Sequence, residues 1–319
     1  MLLGYKLGVL LDLPENINPR KDTSLAIMIA AQKRDWEVSF FSLQDLQIDN
    51  GDLLISSSRV ELHENDPIWH TILERKKSLS TYFDAILIRK DPPFDMNYVY
   101  STYLLEIAER QGTPVLNRPS SIRDCNEKLF ALEFANCCPP HIVSASKESL
   151  QAFYEENNDV IFKPLDGMGG QSIFRAKPKE HNLSVILENL TQNGQIQTMG
   201  QRFIPEIARG DTRIIMLNGE AIPFGLARIP AKGETRGNLA AGGTGKGREL
   251  SERDLFICSE IGETLRSKGL YFVGIDVIGD YLTEINVTCP TCVVELNKIF
   301  DLDIGNDYIA FIEDTILTS

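Results

Sequence analysis

The sequence has no long apolar run and is short of positive charge. No stretch of its 319 residues reaches the roughly 18 consecutive apolar residues of a membrane-spanning helix. The apolar N-terminal segment lacks a basic start and a small-residue cleavage site, so we expect no signal peptide and a cytoplasmic location. A formal net charge of -13 argues against nonspecific nucleic-acid binding. We therefore expect neither a membrane nor a nucleic acid as partner.

Cysteine and histidine offer a single pair with the spacing of a redox or zinc site, so such a role is only a minor alternative. The pair Cys289 and Cys292 forms CPTC, but no second CxxC and no paired histidines accompany it. We expect all the cysteines to be reduced thiols, as is usual in the cytoplasm. No Ser-His-Asp or Cys-His arrangement stands out, so the residues favour phosphate activation over a side-chain nucleophile.

Residues 1–122 alternate between strand and helix patterns. Apolar runs predict strands at Leu7–Leu13, at Glu37–Phe41 and within DAILIRK and TPVLN. Helices are predicted at Thr23–Arg34 and Met96–Gln111, while the polar stretch SSSRVELHENDPIW is assigned no strand. Strands that alternate with helices predict an α/β unit with a parallel sheet.

The sequence pattern changes near RPSSIRDCNEKLF, which predicts a domain boundary there. Two further units are predicted at 123–200 and 201–319. The predicted helices after this boundary are Glu127–Phe134, Lys147–Glu156, Leu183–Asn193, Glu252–Lys268 and one closing helix. The predicted strands are DVIFKP, Ile196–Met199, Thr212–Leu217, Ala221–Arg228, Phe272–Ile278 and Tyr281–Val287. The NGE triplet is a hairpin signal between two of them. The segment Ile229–Gly245 is rich in glycine and charge, and we expect a mobile lid there.

The stretch IFKPLDGMGGQSIF has a lysine on a strand that leads into a glycine loop. It is not a P-loop, because that motif places its lysine after the last glycine and a hydroxyl residue next. Lys163 at the strand end can pair with phosphate oxygens while loop amides cradle the rest. The alternative is a surface lysine before an ordinary turn.

A second constellation lies in GIDVIGDYLTEINVTCPT. Glu284 and Asn286 are two residues apart on a strand, so both project from one face, and Asp276 lies on the preceding strand. These oxygen donors suit Mg²⁺, although a solvated sheet face is also polar. A regular two-residue turn at Gly279–Asp280 would turn Asp276 away. We therefore predict a bulge or an odd-length turn that pairs Asp276 with Leu282 and restores the shared face.

Four cations flank these segments and are predicted to form an anion funnel: Lys128, Arg213, Arg228 and Arg236. The alternative is that each arginine simply pairs with a surface carboxylate.

At these residues the chain resembles the ATP-grasp superfamily and, within it, the bacterial glutathione synthetase family. The resemblance runs nearly end to end and rests on RKDPPFD, RDCNEKL, KPLDGMGG, LARIP, ETRGNLAAGG and LTEINVT-PT. It implies an N-terminal, substrate-binding pre-ATP-grasp domain at 1–122. The ATP-grasp fold would follow, with a central lid subdomain at 123–200 and a C-terminal catalytic subdomain at 201–319.

The resemblance also implies residue roles. The implied ATP-binding residues are Lys128, Lys163, Gly167, Gly169, Gly170, Gln201, Ile204 and Asp211. The implied ligands of Mg²⁺ or Mn²⁺ are Asp276, Glu284 and Asn286. The implied catalytic cations are Arg213, Arg228 and Arg236. RKDPPFD would help to hold a peptide substrate.

The implied reaction joins γ-glutamylcysteine to glycine with ATP through an acylphosphate, in a homo-oligomer that would be a homotetramer. One departure is Cys289, where the family pattern leads us to expect serine. A thiol is the weaker donor, so affinity for a substrate carboxylate would fall if the hydroxyl binds it. Two alternatives remain open at this point: another ATP-grasp carboxylate–amine ligase, and a nucleotide-binding module without activity.

Overall fold

Three β-sheets follow one another along the chain in this computed structural model. The structure describes residues 4–12, 14–64, 66–167, 169–234, 236–239 and 242–318. Parts of three predictions lie outside the described residues: Leu13 in the first strand, Met168 in the glycine loop, and Thr235, Ala240 and Ala241 in the lid segment.

The N-terminal sheet has seven strands in the order β3-β4-β2-β1-β6-β7, with β5 paired to β4. Its strands are β1 (Lys6–Leu10), β2 (Glu37–Phe41), β3 (Leu46–Asp49), β4 (Asp52–Leu62), β5 (His70–Leu79), β6 (Ala85–Ile88) and β7 (Val115–Leu116). Its helices are α1 (Thr23–Lys33), α2 (Met96–Arg110) and α3 (Pro119–Asp124). The predicted parallel sheet is present in β2-β1-β6-β7.

The polar stretch that was assigned no strand forms most of β4, which pairs antiparallel with β5. That assignment was wrong, because a hairpin exposed on one face needs few apolar residues. The sheet is therefore mixed rather than wholly parallel.

The middle unit is an antiparallel sheet of four strands in the order β10-β9-β11-β8. The strands are β8 (His141–Ser144), β9 (Val160–Pro164), β10 (Phe174–Ala176) and β11 (Thr198–Arg202), and the helices are α4 (Lys147–Asn157) and α5 (Leu183–Thr191). The helix predicted at Glu127–Phe134 is wrong in type and position: a 3₁₀ segment runs from Phe130 to Cys137. The boundary predicted at residue 200 lies inside β11.

The C-terminal sheet is antiparallel, in the order β14-β13-β12-β15-β16. The strands are β12 (Asp211–Leu217), β13 (Glu220–Ile229), β14 (Thr244–Glu249), β15 (Phe272–Ile278) and β16 (Tyr281–Asn286), and the helices are α6 (Glu252–Ser267), α7 (Val293–Phe300) and α8 (Ile304–Phe311). The NGE turn is confirmed, since Leu217 pairs with Glu220. The single closing helix is corrected to two.

The first and third sheets share their apolar cores, whereas the middle sheet has its own. One buried cluster joins Leu10 and Ile86 of the first sheet to Ile275 and Ile285 of the third. The middle unit packs around Leu150, Phe162, Leu187 and their neighbours. A unit with a separate core can move as a body against the rest. No helix of the described residues is long and apolar enough to cross a membrane.

Candidate active site

A cleft of about 470 Å³ lies where the three units meet. Every residue that the sequence assigned to nucleotide, metal or catalysis lines this cleft: Lys128, Lys163, Gly167, Gly169, Gly170, Gln201, Ile204, Asp211, Arg213, Arg228, Arg236, Asp276, Glu284 and Asn286. The fold therefore brings all of them together. What each one binds stays a prediction.

The β15–β16 hairpin places three oxygen donors on one face. Its turn has two residues, with Ile278 paired to Tyr281, and the register then shifts at Thr283 so that Asp276 pairs with Glu284. The predicted bulge and the predicted shared face are confirmed. The predicted pairing of Asp276 with Leu282 is wrong, because the extra residue lies on β16, where the Thr283 hydroxyl donates to the Asp276 carbonyl at 3.0 Å.

This donor set fits a magnesium ion that also binds phosphate. Asn286 Nδ2 donates to the Gly274 carbonyl and to Asp276 Oδ2, at 3.0 and 3.3 Å. Two carboxylates with an amide oxygen, open to a cleft, match a cation that takes few protein ligands and completes its shell with phosphate and water. Among the described residues, no group of three His, Cys, Asp or Glu side chains could hold a metal by itself.

Two buried arginines of the same sheet, Arg213 on β12 and Arg228 on β13, hold Asp276. Arg213 Nε and Nη2 donate to its two carboxylate oxygens at 2.6 and 3.0 Å, and Arg228 Nη2 lies 2.9 Å from Oδ2. Burial disfavours the carboxylate, but the two guanidinium groups outweigh it and hold the pKa of Asp276 well below its usual range. Asp276 is therefore ionised at neutral pH, as a metal ligand must be.

Two buried lysines lie close to Glu284 of the same hairpin. Lys128 Nζ is 2.9 Å from Glu284 Oε1 and donates to the Gly167 carbonyl at 2.6 Å. Lys128 thus connects β16 to the glycine loop. Burial opposes the charge of Lys128, yet Glu284 raises its pKa. Lys163 Nζ donates to the amide oxygen of Gln201 at 3.4 Å, and burial lowers the pKa of Lys163.

The lid segment contacts the glycine loop directly. Arg236 Nη1 donates to the Gly170 carbonyl at 3.3 Å. Gly170 has φ of +80°, and a Cβ there would lie 2.9 Å from Arg236 Cδ, so the close approach requires glycine. The last residues of the predicted lid belong to β14, where Gly245 pairs with Arg228. The unpaired part of the segment is thus shorter than predicted.

The lining of the cleft also includes apolar side chains. Ile161, Ile173 and Ile204 line it together with Gln201 and the acidic Asp211. Asp211 Oδ2 pairs with Arg228 at 2.5 Å, while Oδ1 is buried without a partner among the described residues. Burial outweighs the arginine and raises the pKa of Asp211 to about 6. Apolar side chains with a few polar groups suit a purine base and its sugar.

Sequence reasoning missed Glu127, which lines the cleft beside Lys128. Its Oε1 accepts from Val287 N, Thr288 N and Thr288 Oγ1 at 3.0, 3.1 and 2.8 Å, and its carbonyl accepts from Ile285 N at 2.9 Å. Burial raises the pKa of this carboxyl, and the neighbouring Glu284 adds to the shift. Glu127 thus holds the C-terminal end of β16, the strand that carries Glu284 and Asn286. Its place next to Lys128 in RDCNEKL was the available signal.

Two family models cover most of the chain. The N-terminal domain of prokaryotic glutathione synthetase matches residues 5–123, and the ATP-grasp domain of prokaryotic glutathione synthetase matches residues 127–301. The chain belongs to the prokaryotic glutathione synthetase family.

Curated relatives in this family match over nearly their full length. The chain is 52% identical over 304 residues to a protein named glutathione synthetase from Pseudomonas aeruginosa, covering 95% of this chain and 96% of that one. It is 50% identical to the glutathione synthetase of Vibrio vulnificus strain YJ016, covering 97% of each chain. It is 48% identical to that of Coxiella burnetii, covering 99% of each chain.

Solved structures agree with the ATP-grasp fold of the family. D-cycloserine synthetase DcsG superposes with a TM-score of 0.65 at 13% identity, covering 95% of this chain and 97% of that one. A RimK domain ATP-grasp protein from Sphaerobacter thermophilus superposes with a TM-score of 0.62 at 15% identity, covering 96% and 98%. At these identities the likeness shows the fold alone.

The segment RKDPPFD of the N-terminal domain contacts Cys289, which lines the cleft. Arg89 is buried, and its guanidinium donates to Ser24 Oγ at 3.1 Å and to the Pro290 carbonyl at 2.8 Å. The Cys289 thiol donates to the Arg89 carbonyl at 3.3 Å. Burial raises the pKa of Cys289 well above its ordinary value, so it stays a neutral thiol at pH 7.

Proposed function

We propose that the chain joins γ-glutamylcysteine to glycine, using ATP and releasing glutathione, ADP and phosphate. The observation that carries this proposal is the near full-length match to the prokaryotic glutathione synthetases. The cleft supports it, because its lining combines lysines and arginines, three oxygen donors on one hairpin, and Arg236 of the segment Ile229–Gly245.

The first chemical step is phosphorylation of the cysteinyl carboxylate of the dipeptide. A carboxylate is a poor electrophile, and transfer of the γ-phosphoryl group converts it into an acylphosphate that an amine can attack. In this proposal Lys128 and Lys163 bind the nucleotide phosphates, and Arg213 and Arg228 stabilise charge on the transferred group. Phosphoryl transfer depends mostly on such positioning and electrostatics.

The proposed metal is Mg²⁺, with Mn²⁺ as a substitute, held by Asp276, Glu284 and Asn286. When bound there, a divalent ion neutralises phosphate charge and orients the phosphates for in-line transfer. The chain's own contribution is the bulged hairpin that aims three oxygens at one point, and the arginines that keep Asp276 ionised.

The remaining proposed roles concern the nucleotide and water. Gln201 and Ile204 line the adenine pocket, Asp211 binds the nucleotide beside it, and the loop Gly167–Gly170 covers the phosphates. Arg236 and its lid segment exclude water, which would otherwise hydrolyse the acylphosphate before glycine attacks. The contact of Arg236 with Gly170 supports a lid that closes on the glycine loop.

We also propose that the enzyme is a cytoplasmic homo-oligomer. All six cysteines are free thiols, which suits a reducing compartment. The edge strand β5 exposes Ile72 and Leu73, a surface that association of two copies would cover. Sedimentation of the purified chain over a range of concentrations tests the oligomeric state, and a homotetramer is expected.

The decisive experiment measures ADP release and glutathione formation together. With Mg²⁺, ATP and γ-glutamylcysteine, we expect glutathione and ADP in a one-to-one ratio only when glycine is added. A panel of other acids and amines, including D-alanine and glutamate, tests the other ATP-grasp ligases. Activity with one of these and none with γ-glutamylcysteine would overturn the proposal.

A further inference from the structure

Two carboxylate oxygens in the cleft are buried without a hydrogen-bond partner among the described residues: Asp211 Oδ1 and Glu295 Oε2. The other buried unpartnered side-chain atoms of the described residues belong to His70, Ser78 and Thr198, none of which lines the cleft. Burying a polar atom without a partner is unfavourable, above all for a charged group. Such atoms in a binding cleft therefore indicate that a ligand supplies the donor.

One carboxylate oxygen of Asp211 has a partner, whereas Glu295 has none among the residues that the structure describes. That oxygen of Asp211 pairs with Arg228, and Asp211 already has a proposed role in binding the nucleotide. Glu295 makes no side-chain hydrogen bond or ion pair with any described residue, although nearly every other charged group of the cleft does so. None of the roles proposed above uses it.

The fold places Glu295 on a helix that packs against the strand of Arg228. It lies in the first turn of α7, which follows β16 after a short segment, residues 287–292. Helix α7 packs against β13, which carries Arg228, and against α1 of the N-terminal domain. The neighbouring Cys292 is within electrostatic reach of Glu295 and of both arginines. Glu295 is therefore at the side of the cleft where the reacting carboxylate and its amine partner would meet.

We propose that Glu295 binds the primary ammonium group of an amino-acid substrate. This inference rests on the proposed function. The reaction needs an ammonium site because glycine and γ-glutamylcysteine each carry one at neutral pH. Asp276 and Glu284 are already engaged by Arg213 and Lys128, whereas Glu295 Oε2 has its full capacity to accept. A charge-assisted hydrogen bond to an ammonium satisfies the buried carboxylate and orients the substrate.

The test is steady-state kinetics of Glu295→Gln, which keeps the shape and removes the charge. We expect the KM of one amino-acid substrate to rise by about 10- to 100-fold, the loss associated with a hydrogen bond to a charged group. The KM for ATP should not change. A rise for glycine identifies the acceptor amine as the ligand, and a rise for γ-glutamylcysteine identifies the dipeptide's α-ammonium. Glu295→Asp, which keeps the charge, should recover part of the affinity.

Thermal unfolding and a matched variant separate binding from structure. Lys298→Gln changes the charge of the same helix at an exposed position outside the cleft and should leave every KM unchanged. The melting temperature of Glu295→Gln should not fall, because the variant breaks no hydrogen bond or ion pair among the described residues. Unchanged KM values for both substrates, or a melting temperature lower by more than about 3 °C, would overturn the inference. If the wild-type chain forms no glutathione, the proposed function fails instead.

Discussion

At the scale of single residues, the cleft balances its charges in pairs. Lys128 pairs with Glu284, and Arg213 and Arg228 pair with Asp276. Buried charges need such partners, since desolvation without one is strongly unfavourable. A nucleotide phosphate that takes over a cation also frees a carboxylate for a metal. ATP and Mg²⁺ are therefore expected to strengthen each other's binding to this site.

Lys163 differs from the other cations, because its partner is the neutral amide of Gln201. Its burial lowers its pKa, and a phosphate nearby would restore the charged form. Lys163→Met keeps the length but removes the charge. We expect a loss of about 2 to 4 kcal/mol of transition-state stabilisation, or roughly 30- to 1,000-fold in kcat/KM.

Two measurements accompany this prediction. Circular dichroism should show that Lys163→Met is folded, and Lys298→Met, at an exposed position on α7, should keep wild-type turnover. Near-normal turnover by folded Lys163→Met would remove Lys163 from the phosphate site.

Glu109 on α2 gives a prediction on pH. Burial raises its pKa from 4.5 to about 7. The folded state therefore binds this proton more tightly than the unfolded state, so the stability linked to Glu109 is complete below pH 4.5 and is lost as pH rises through 7. Glu109→Gln should be more stable than the wild type by about 1 to 2 kcal/mol at pH 8, after allowance for partial exposure.

Urea unfolding at pH 5 and pH 8 measures this difference, which should be larger at pH 8. Glu156→Gln, at an exposed position on α4, is the matched control and should change stability at neither pH. An advantage of Glu109→Gln that is equal at the two pH values would contradict the assignment.

At the scale of elements, the β15–β16 hairpin shows how much of a structure can be predicted from the sequence. A regular hairpin would turn Asp276 away from Glu284, so the shared chemistry of the three donors was enough to predict a bulge. The chemistry could not locate the extra residue. That position depends on Thr283, whose hydroxyl bonds the Asp276 carbonyl across the strands. The sequence therefore predicted the face of Asp276 correctly and its pairing partner incorrectly.

Strand β14 was missed for a different reason. Its sequence TGKGRE is polar and rich in glycine, which normally indicates a loop. A Cβ at Gly247 would lie 2.6 Å from the Phe300 ring, and a Cβ at Gly245 would lie 3.2 Å from Leu226. The side chains of Phe300 and Leu226 pack against β14 so closely that larger residues at these two positions would crowd them. Only the tertiary structure contains that information.

The lid segment carries the next prediction. A site-specific protease site placed between Lys232 and Arg236 allows the proposed lid to be cut while Lys128 and Lys163 stay intact. We expect nearly unchanged ATP binding but poorer protection of the acylphosphate, so that more than one ADP is released per glutathione. The ratio of the two products after cutting is the measurement.

A cut at Gln192–Gly194, a turn after α5 away from the cleft, is the control and should leave a ratio of one. A chain cut in the lid that keeps full rate and one-to-one stoichiometry would exclude a protective role. Complete loss of synthesis with ATP binding retained would support it.

At the scale of the molecule, the domain order was predictable and the contacts between domains were not. The periodic strands and helices of 1–122 indicated an α/β unit, and the motifs indicated the ATP-grasp unit after it. Nothing local predicted that Asn117 joins the first sheet to the third. Residues distant in sequence meet there, and a single asparagine carries no pattern.

Asn117 is the basis of the last prediction. Its buried amide donates to the Phe272 and Val287 carbonyls at 2.9 Å each and accepts from Phe272 N at 2.9 Å. Asn117→Ala leaves these three backbone groups buried without a partner, so we expect the free energy of unfolding to fall by about 2 to 4 kcal/mol. Denaturant unfolding measures the loss, with Asn189→Ala as control, because among the described residues that exposed side chain bonds only the Val185 carbonyl of its own helix. Since Val287 directly follows β16, Asn117→Ala should also lower the apparent affinity for Mg²⁺, so that turnover requires more metal for half-maximal rate. Stability and metal requirement both within error of the wild type would show that the two sheets are held together by their shared apolar core alone.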